Sequence, residues 1–390
     1  MTRMLPPLRL VGATVLRDGE MQERSVVIED GCISKGPRPA VDLSGYYILP
    51  GIIDLHGDAF ERHIAPRPSA LFPIATGLRN TDRDAAANGI TTAWLAQSWS
   101  WEGGMRSPEF AETFLDALSA YRPFALTDLR AQIRYETHMI DTETRLLDAI
   151  RKHGIDYVVF NNHLVKTVEM SDEALTGYAA RFGMTGAHLR DIAKQALART
   201  REVPRHLCRL AEAFDGLGVT YGSHDDHDAE GREHYAMIGA RVCEFPTCRP
   251  PAAAAAAMGD PVLMGAPNVV RGGSQSGGVP AVQMIRDRLV TALVSDYFYP
   301  SLARAAFHLV ESNLLSLPRA WALISTNPAH ILRLHDRGVI DYGKRADLVV
   351  INKATQAVEA TIANGCLSHL SGEAARRFMQ QDQPMQMAAE

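Results

Sequence analysis

A chain of 390 residues, 46% hydrophobic and 22% charged, is long enough for one large core with a smaller attachment, and reads as a globular protein that stays in solution. Its formal net charge of -5 excludes the concentrated basic face that nucleic-acid binding needs, so any anionic substrate must be met by a local basic pocket. No run reaches the roughly 18 apolar residues of a membrane span, no secretory signal is evident, and five scattered cysteines without a C-x-x-C pair fit a reduced, cytoplasmic protein without disulfides and without a membrane partner.

Residues 8–47 alternate in the manner of strands, with Asp18-Gly19 and Asp30-Gly31 as hairpin turns between them. The same pattern returns over residues 338–370, in runs such as Leu348-Val349-Val350-Ile351. Neither half-sheet can bury its own face, so residues 1–47 and 338–370 are expected to pair into one small β domain, a sandwich built from both ends of the chain. The last residues, 371–390, are Gln- and Met-rich and are expected to be a disordered tail.

Between them, residues 48–337 alternate strands with helices. The opening run Ile48 to Asp58 is followed by strands near 90–96, 129–136, 156–160, 218–223, 240–245, 261–265 and 291–295. Helical patterns over 107–119, 143–152, 187–217 and 250–258 separate them. Eight strands alternating with helices predict an α/β fold, a TIM (β/α)8 barrel whose chemistry lies at the carboxyl ends of the strands. The stretch from Lys166 to Gly186 is longer than an ordinary connection and is expected to form a lid or a dimer element.

Polar residues gather at those strand ends. His56 and Asp58 close the first strand, Glu136 the third with His138 just after it, His163 the fourth, His224 the fifth and Asp296 the eighth. Imidazole and carboxylate together suit a divalent metal. His56, Asp58, Glu136, His163, His224 and Asp296 are therefore the expected ligands of one or two ions, zinc first, with manganese or iron as alternatives. Such an ion lowers the pKa of water toward neutrality, and Asp296 is the candidate catalytic base.

A second group points to the substrate. Gly265 to Gly278 follows the seventh strand and combines Asn268, Arg271, Gly272, Gly273 and Ser274, a mixture suited to gripping phosphate through backbone N–H groups and guanidinium. Arg67 lies soon after the first ligand pair, and Arg134 sits two residues before Glu136, on the same side of its strand. Both are added as substrate-binding candidates.

Taken together, L-P-G-I-I-D-L-H-G-D, A-P-R-P at 65–68, S-H-D-D at 223–226, E-F-P-T at 244–247, G-A-P-N-V-V-R-G-G-S at 265–274 and S-D-Y at 295–297 resemble the amidohydrolase superfamily, and within it the PhnM-type diphosphatases of phosphonate metabolism. The resemblance implies a metal-dependent hydrolase that cleaves a phosphoanhydride of ribose 1-methylphosphonate 5-triphosphate and releases pyrophosphate. Its partner would be a small phosphorylated sugar, and a homodimer is left open. Asn162 and Gln275 stand where that branch carries Asp and His, and His163 falls one strand earlier than the superfamily pattern. The alternatives are a deaminase or cyclic amide hydrolase on the same fold, or a scaffold that has lost its chemistry.

Overall fold

The computed structural model describes residues 4–67, 70–275 and 277–380. Eight parallel strands form one sheet, here numbered in chain order: β1 (Ile52–Gly57), β2 (Ile90–Trp99), β3 (Asp128–Glu136), β4 (Tyr157–Asn161), β5 (Thr220–His224), β6 (Val242–Glu244), β7 (Val262–Gly265) and β8 (Ala292–Val294). Each pairs with its neighbours in sequence order, as the alternation of strands and helices requires. All eight correspond to strands read from the sequence. His163 follows β4, so the strand count places it correctly.

The strands have two buried faces. Ile53, Leu55, Trp94, Tyr157, Val159, Val242 and Leu263 fill the barrel lumen, while Ile133, Val158, Phe160, Tyr221 and Leu293 pack outward under the helices. Local sequence sets the helix limits. Ser107 accepts from the Phe110 amide and Pro108 begins the helix Pro108–Tyr121, whereas Gly154 and Gly218, both left-handed, end Glu143–His153 and Val203–Leu217.

The seam between β1 and β8 is closed by residues expected to do chemistry. The Asp58 amide donates to the Asp296 carbonyl at 2.8 Å, and the Asp296 amide donates to the His56 carbonyl at 3.0 Å. Below them, the buried Asp54 carboxylate accepts from the Ser295 amide at 2.9 Å and from its hydroxyl at 2.6 Å.

The small domain is a β-sandwich. A four-stranded sheet runs in the order Cys32–Ser34, Val26–Glu29, Leu8–Val11, Ala40–Asp42. A six-stranded sheet carries Tyr46–Pro50 between Thr14–Arg17 and Leu348–Asn352, so both chain ends meet on one strand. Leu10, Val15, Ile28 and Ile48 share a core with Leu348, Val350 and Ile362. Asp18 and Asp30 adopt φ of 55° and 51°, each followed by a positive-φ glycine, as the two Asp-Gly hairpins require.

Four expectations are corrected. The opening run is two strands, Tyr46–Pro50 in the sandwich and β1 in the barrel, divided at Gly51. Any Cβ there would meet Thr91 Oγ1 at 2.3 Å, so only glycine lets the chain pass between the domains. The helical pattern over 187–217 is two helices, Gly186–Leu197 and Val203–Leu217, because Pro204 in the first turn of the second cannot continue the first. The loop after β7 begins as a short helix, Ala266–Arg271, started by Pro267 and ended by Gly272. The tail is helical over Gly372–Met379, anchored where the Ala374 amide donates to Glu359 at 2.9 Å. Residues 381–390 lie outside the described residues.

Candidate active site

His56 reaches the lumen through an irregularity. Regular alternation would place it on the face opposite Ile53 and Leu55, but the β1–β2 register slips between Asp54 and Gly57, and this bulge turns the ring inward. There His56 Nδ1 lies 2.8 Å from Glu244 Oε2. The other Glu244 oxygen accepts from Gln132 Nε2 at 2.7 Å and from the Tyr157 hydroxyl. Burial pushes the Glu244 carboxyl up, but His56 outweighs it and holds the carboxyl below its ordinary value. The ionised Glu244 fixes His56 with Nδ1 protonated, leaving Nε2 free as a donor. The His224 ring stands 5.3 Å from that of His56. Burial lowers the His224 pKa, against the pull of Asp225, favouring the neutral ring, and its buried Nδ1 lies 3.4 Å from Asp225 Oδ2 without a well-aligned hydrogen bond.

A second cluster forms where β3 and β4 end. His163 Nδ1 lies 2.9 Å from Glu136 Oε1 and 3.9 Å from Glu102 Oε1. Trp101 Nε1 and the His163 amide both donate to Glu136 Oε2, each at 3.1 Å. Glu102 is buried, which opposes ionisation, yet Arg106 and then His163 pull its pKa to about 2.

Between the clusters, Arg134 Nη1 stands 3.9 Å from Asp58 Oδ2. Burial, and then the negative charge of Asp58, push the Asp296 carboxyl up to about 7. Asp225, Phe245 and Asp296, at the ends of β5, β6 and β8, all hold positive φ of 60°, 50° and 55°. Such conformations store local strain and concentrate at functional sites.

The ligand atoms of His56, His224 and Glu244 lie within 4.8 Å of one another, and so do those of Glu102, Glu136 and His163. These are nitrogen and oxygen donors of the kind zinc, manganese and iron accept. Donors of this chemistry, gathered this closely and largely buried, fit a divalent ion.

Of the six expected ligands, His56, Asp58, His163, His224 and Asp296 all line one cavity of about 480 Å³, with Glu136 buried just behind. Arg134, Asn268, Arg271, Gly273 and Ser274 line it too, whereas Gly272 does not. Asn268 already serves the loop: it donates to the Val279 carbonyl at 3.1 Å and accepts from the Ala281 amide at 2.9 Å. Arg271 reaches the Tyr297 hydroxyl at 3.2 Å and Gln275 at 3.5 Å. Arg67 is exposed and outside the lining. His138 is bound to Thr137 and Thr200, also outside it. Asn162 is exposed, and its side chain accepts from the Leu164 amide at 3.2 Å.

Glu244 follows the rule that marks the others, a polar residue ending an apolar run, yet is absent from the expected ligand set. Glu61 falls one helical turn beyond Asp58. Glu102, Arg106, Lys166 and Arg181 reach the site from loops and an insert that carry no periodic signal, so no pattern marked them.

A closed parallel barrel with His/carboxylate clusters at its carboxyl rim, beside a sandwich from both termini, defines the class as a barrel hydrolase of the amidohydrolase type. A profile described as Amidohydrolase family matches residues 273–366. Over 333 residues, 80% of this chain and 85% of the relative, the sequence is 32% identical to alpha-D-ribose 1-methylphosphonate 5-triphosphate diphosphatase of Escherichia coli strain K12. It is 25% identical to imidazolonepropionase of Deinococcus radiodurans over 369 residues, 85% of this chain and 86% of that one. Among solved structures, N-acetylglucosamine-6-phosphate deacetylase from Pasteurella multocida superposes with a TM-score of 0.63 at 12% identity, covering 92% of this chain and 98% of its own. The chain belongs to the amidohydrolase superfamily, and within it to the PhnM type, that of the Escherichia coli diphosphatase.

Proposed function

We propose that the chain is a metal-dependent diphosphatase that hydrolyses a phosphoanhydride of ribose 1-methylphosphonate 5-triphosphate, releasing pyrophosphate. The observation that carries this reading is the charge of the cavity. In a protein of net charge -5, the lining gathers Arg62, Arg106, Arg134, Lys166, Arg181 and Arg271. Arg106 pairs with Glu102 and Arg134 with Asp58. The other four have no carboxylate oxygen within 4.0 Å among the described residues. Asp58, Glu61, Asp225 and Asp296 line the cavity as well, but cations that face it without an ion-pair partner favour a polyanion.

His56, His224, Glu136 and His163 would hold the metal, with Asp58 and Asp296 beside them. When bound, the ion supplies Lewis acidity and a more acidic water at neutral pH. Glu244 orients His56. Arg134 sits among the carboxylates, where it neutralises excess negative charge and faces the phosphate under attack. Asp296 takes the proton of the attacking water on a carboxylate oxygen and returns it to the oxygen of the leaving pyrophosphate. Arg62 and Arg271, both bound to Tyr297, present guanidinium groups from the β1 and β7 loops to the phosphate chain.

A deaminase or cyclic amide hydrolase on the same fold calls for a largely apolar pocket with one amide-binding group, and the four cations without an ion-pair partner weigh against it. Phosphorus NMR of metal-loaded protein decides between the two. Incubation with ribose 5-triphosphates bearing a phosphonate or a base at the anomeric carbon is expected to yield pyrophosphate. Release of none, together with ammonia from an amine or amide panel, reverses the assignment.

A further inference from the structure

Residues 164–197 fold as three helices, Leu164–Glu169, Asp172–Ala180 and Gly186–Leu197. They enclose a small apolar centre of Leu175, Ala179 and Leu189, against which Trp101 and Phe182 pack. Two side chains, Trp101 from the loop after β2 and Tyr178 of the insert itself, tie it to one carboxylate cluster. Trp101 donates to Glu136 at 3.1 Å, and the Tyr178 hydroxyl donates to Glu102. The insert therefore sits at a fixed position over the cavity, and it places Lys166 and Arg181 in the lining.

These two differ from the other cations there. Arg106 and Arg134 are neutralised by carboxylates, and Arg62 and Arg271 are already engaged with Tyr297. Neither Lys166 nor Arg181 has a hydrogen-bond or ion-pair partner among the described residues; Arg181 has the Tyr178 ring 5.8 Å from its guanidinium carbon and acts on Glu61 only through its longer-range charge. Both are exposed at the mouth, away from the buried carboxylates that carry the hydrolytic chemistry. A phosphate chain reaching from those carboxylates to the mouth would meet these two side chains, which line the same cavity.

We propose that Lys166 and Arg181 form a clamp for the terminal phosphates, the part that departs as pyrophosphate, and so make the insert the element that selects a triphosphate over shorter phosphate chains. The proposal rests on the diphosphatase reading for its substrate but not for its ligand chemistry, since a pair of unpartnered cations binds a diphosphate whether or not hydrolysis follows.

The test is calorimetric titration of the full-length protein with pyrophosphate and, separately, inorganic phosphate. Wild type is expected to bind pyrophosphate at least tenfold more tightly than phosphate. Lys166→Ala and Arg181→Ala are each expected to weaken pyrophosphate about tenfold and phosphate by less than threefold, while Lys194→Ala, on the same insert but outside the lining, changes neither. Circular dichroism confirms that each variant is folded. In turnover assays the two clamp variants should raise KM for the triphosphate with kcat within threefold of wild type. Equal loss for phosphate and pyrophosphate, no loss in either variant, or no pyrophosphate binding by wild type overturns the clamp. If wild type releases no pyrophosphate from any triphosphate yet shows the differential binding, the clamp stands and the diphosphatase reading falls.

Discussion

At the residue scale, Asp296 and Glu244 have separable tasks. The Asp296 backbone closes the barrel seam while its carboxyl, pushed up to about 7, faces the cavity. Asparagine keeps the main-chain hydrogen bonds and tolerates the positive φ, so Asp296→Asn is expected to lower kcat by about 10²–10⁴ with a melting temperature near that of wild type. A variant that melts early would mean the residue is structural. Glu244 holds the tautomer of His56, and partners that orient metal-binding histidines are worth about 10–100-fold in affinity. Glu244→Gln should therefore lose metal by roughly that factor, and excess metal should restore its activity. Retention of wild-type affinity would assign Glu244 to packing alone.

At the scale of elements, buried histidines on the barrel's outer layers make stability depend on pH. Burial lowers His206 and His153, although Glu143 and Asp116 respectively oppose it. A histidine whose folded pKa is depressed stays neutral in the native state while the unfolded chain takes up a proton below about 6.5. The stabilisation is therefore present above that pH and is lost as pH falls from about 7 toward 5, by at most about 1.4 kcal/mol per pH unit for each group. Thermal melts across that range should decline with a slope that is shallower in His206→Asn; an unchanged slope removes His206 from the account. These elements also show what sequence could reveal. Eight strands were legible because each is a short apolar run ending in a polar residue. The inward turn of His56 was not, because a bulge is a property of pairing between two strands and leaves no mark on one of them. Likewise Gly51 reads as part of one strand until its contact with Thr91 is known, and Lys166 and Arg181 became site residues only once the insert folded over the rim.

At the scale of the whole molecule, the two clusters tie together elements distant in the chain. His56, His224 and Glu244 come from β1, β5 and β6, while Glu136 and His163 join β3 to the residues after β4, all at the carboxyl rim of the barrel. A ligand that binds only the folded state stabilises it by RT ln(1 + [L]/Kd), about 4 kcal/mol at a thousandfold excess over Kd. For a chain this long, that is a shift of about 5 °C. Chelation of the metal-loaded protein is therefore expected to lower the melting temperature by that amount while leaving the far-ultraviolet circular dichroism intact, because the apolar lumen beneath the rim does not depend on the ion. Glu244→Gln, with affinity lower by about 10–100-fold, should keep about 1.4–2.7 kcal/mol of that stabilisation at the same metal concentration, melt between the loaded and the chelated wild type, and respond less to chelator. A wild-type melting temperature indifferent to chelation, with metal demonstrably removed, would show that no ion bridges these strands, and the rim would then be held by the hydrogen bonds of Asp54, Asp58 and Asp296 alone.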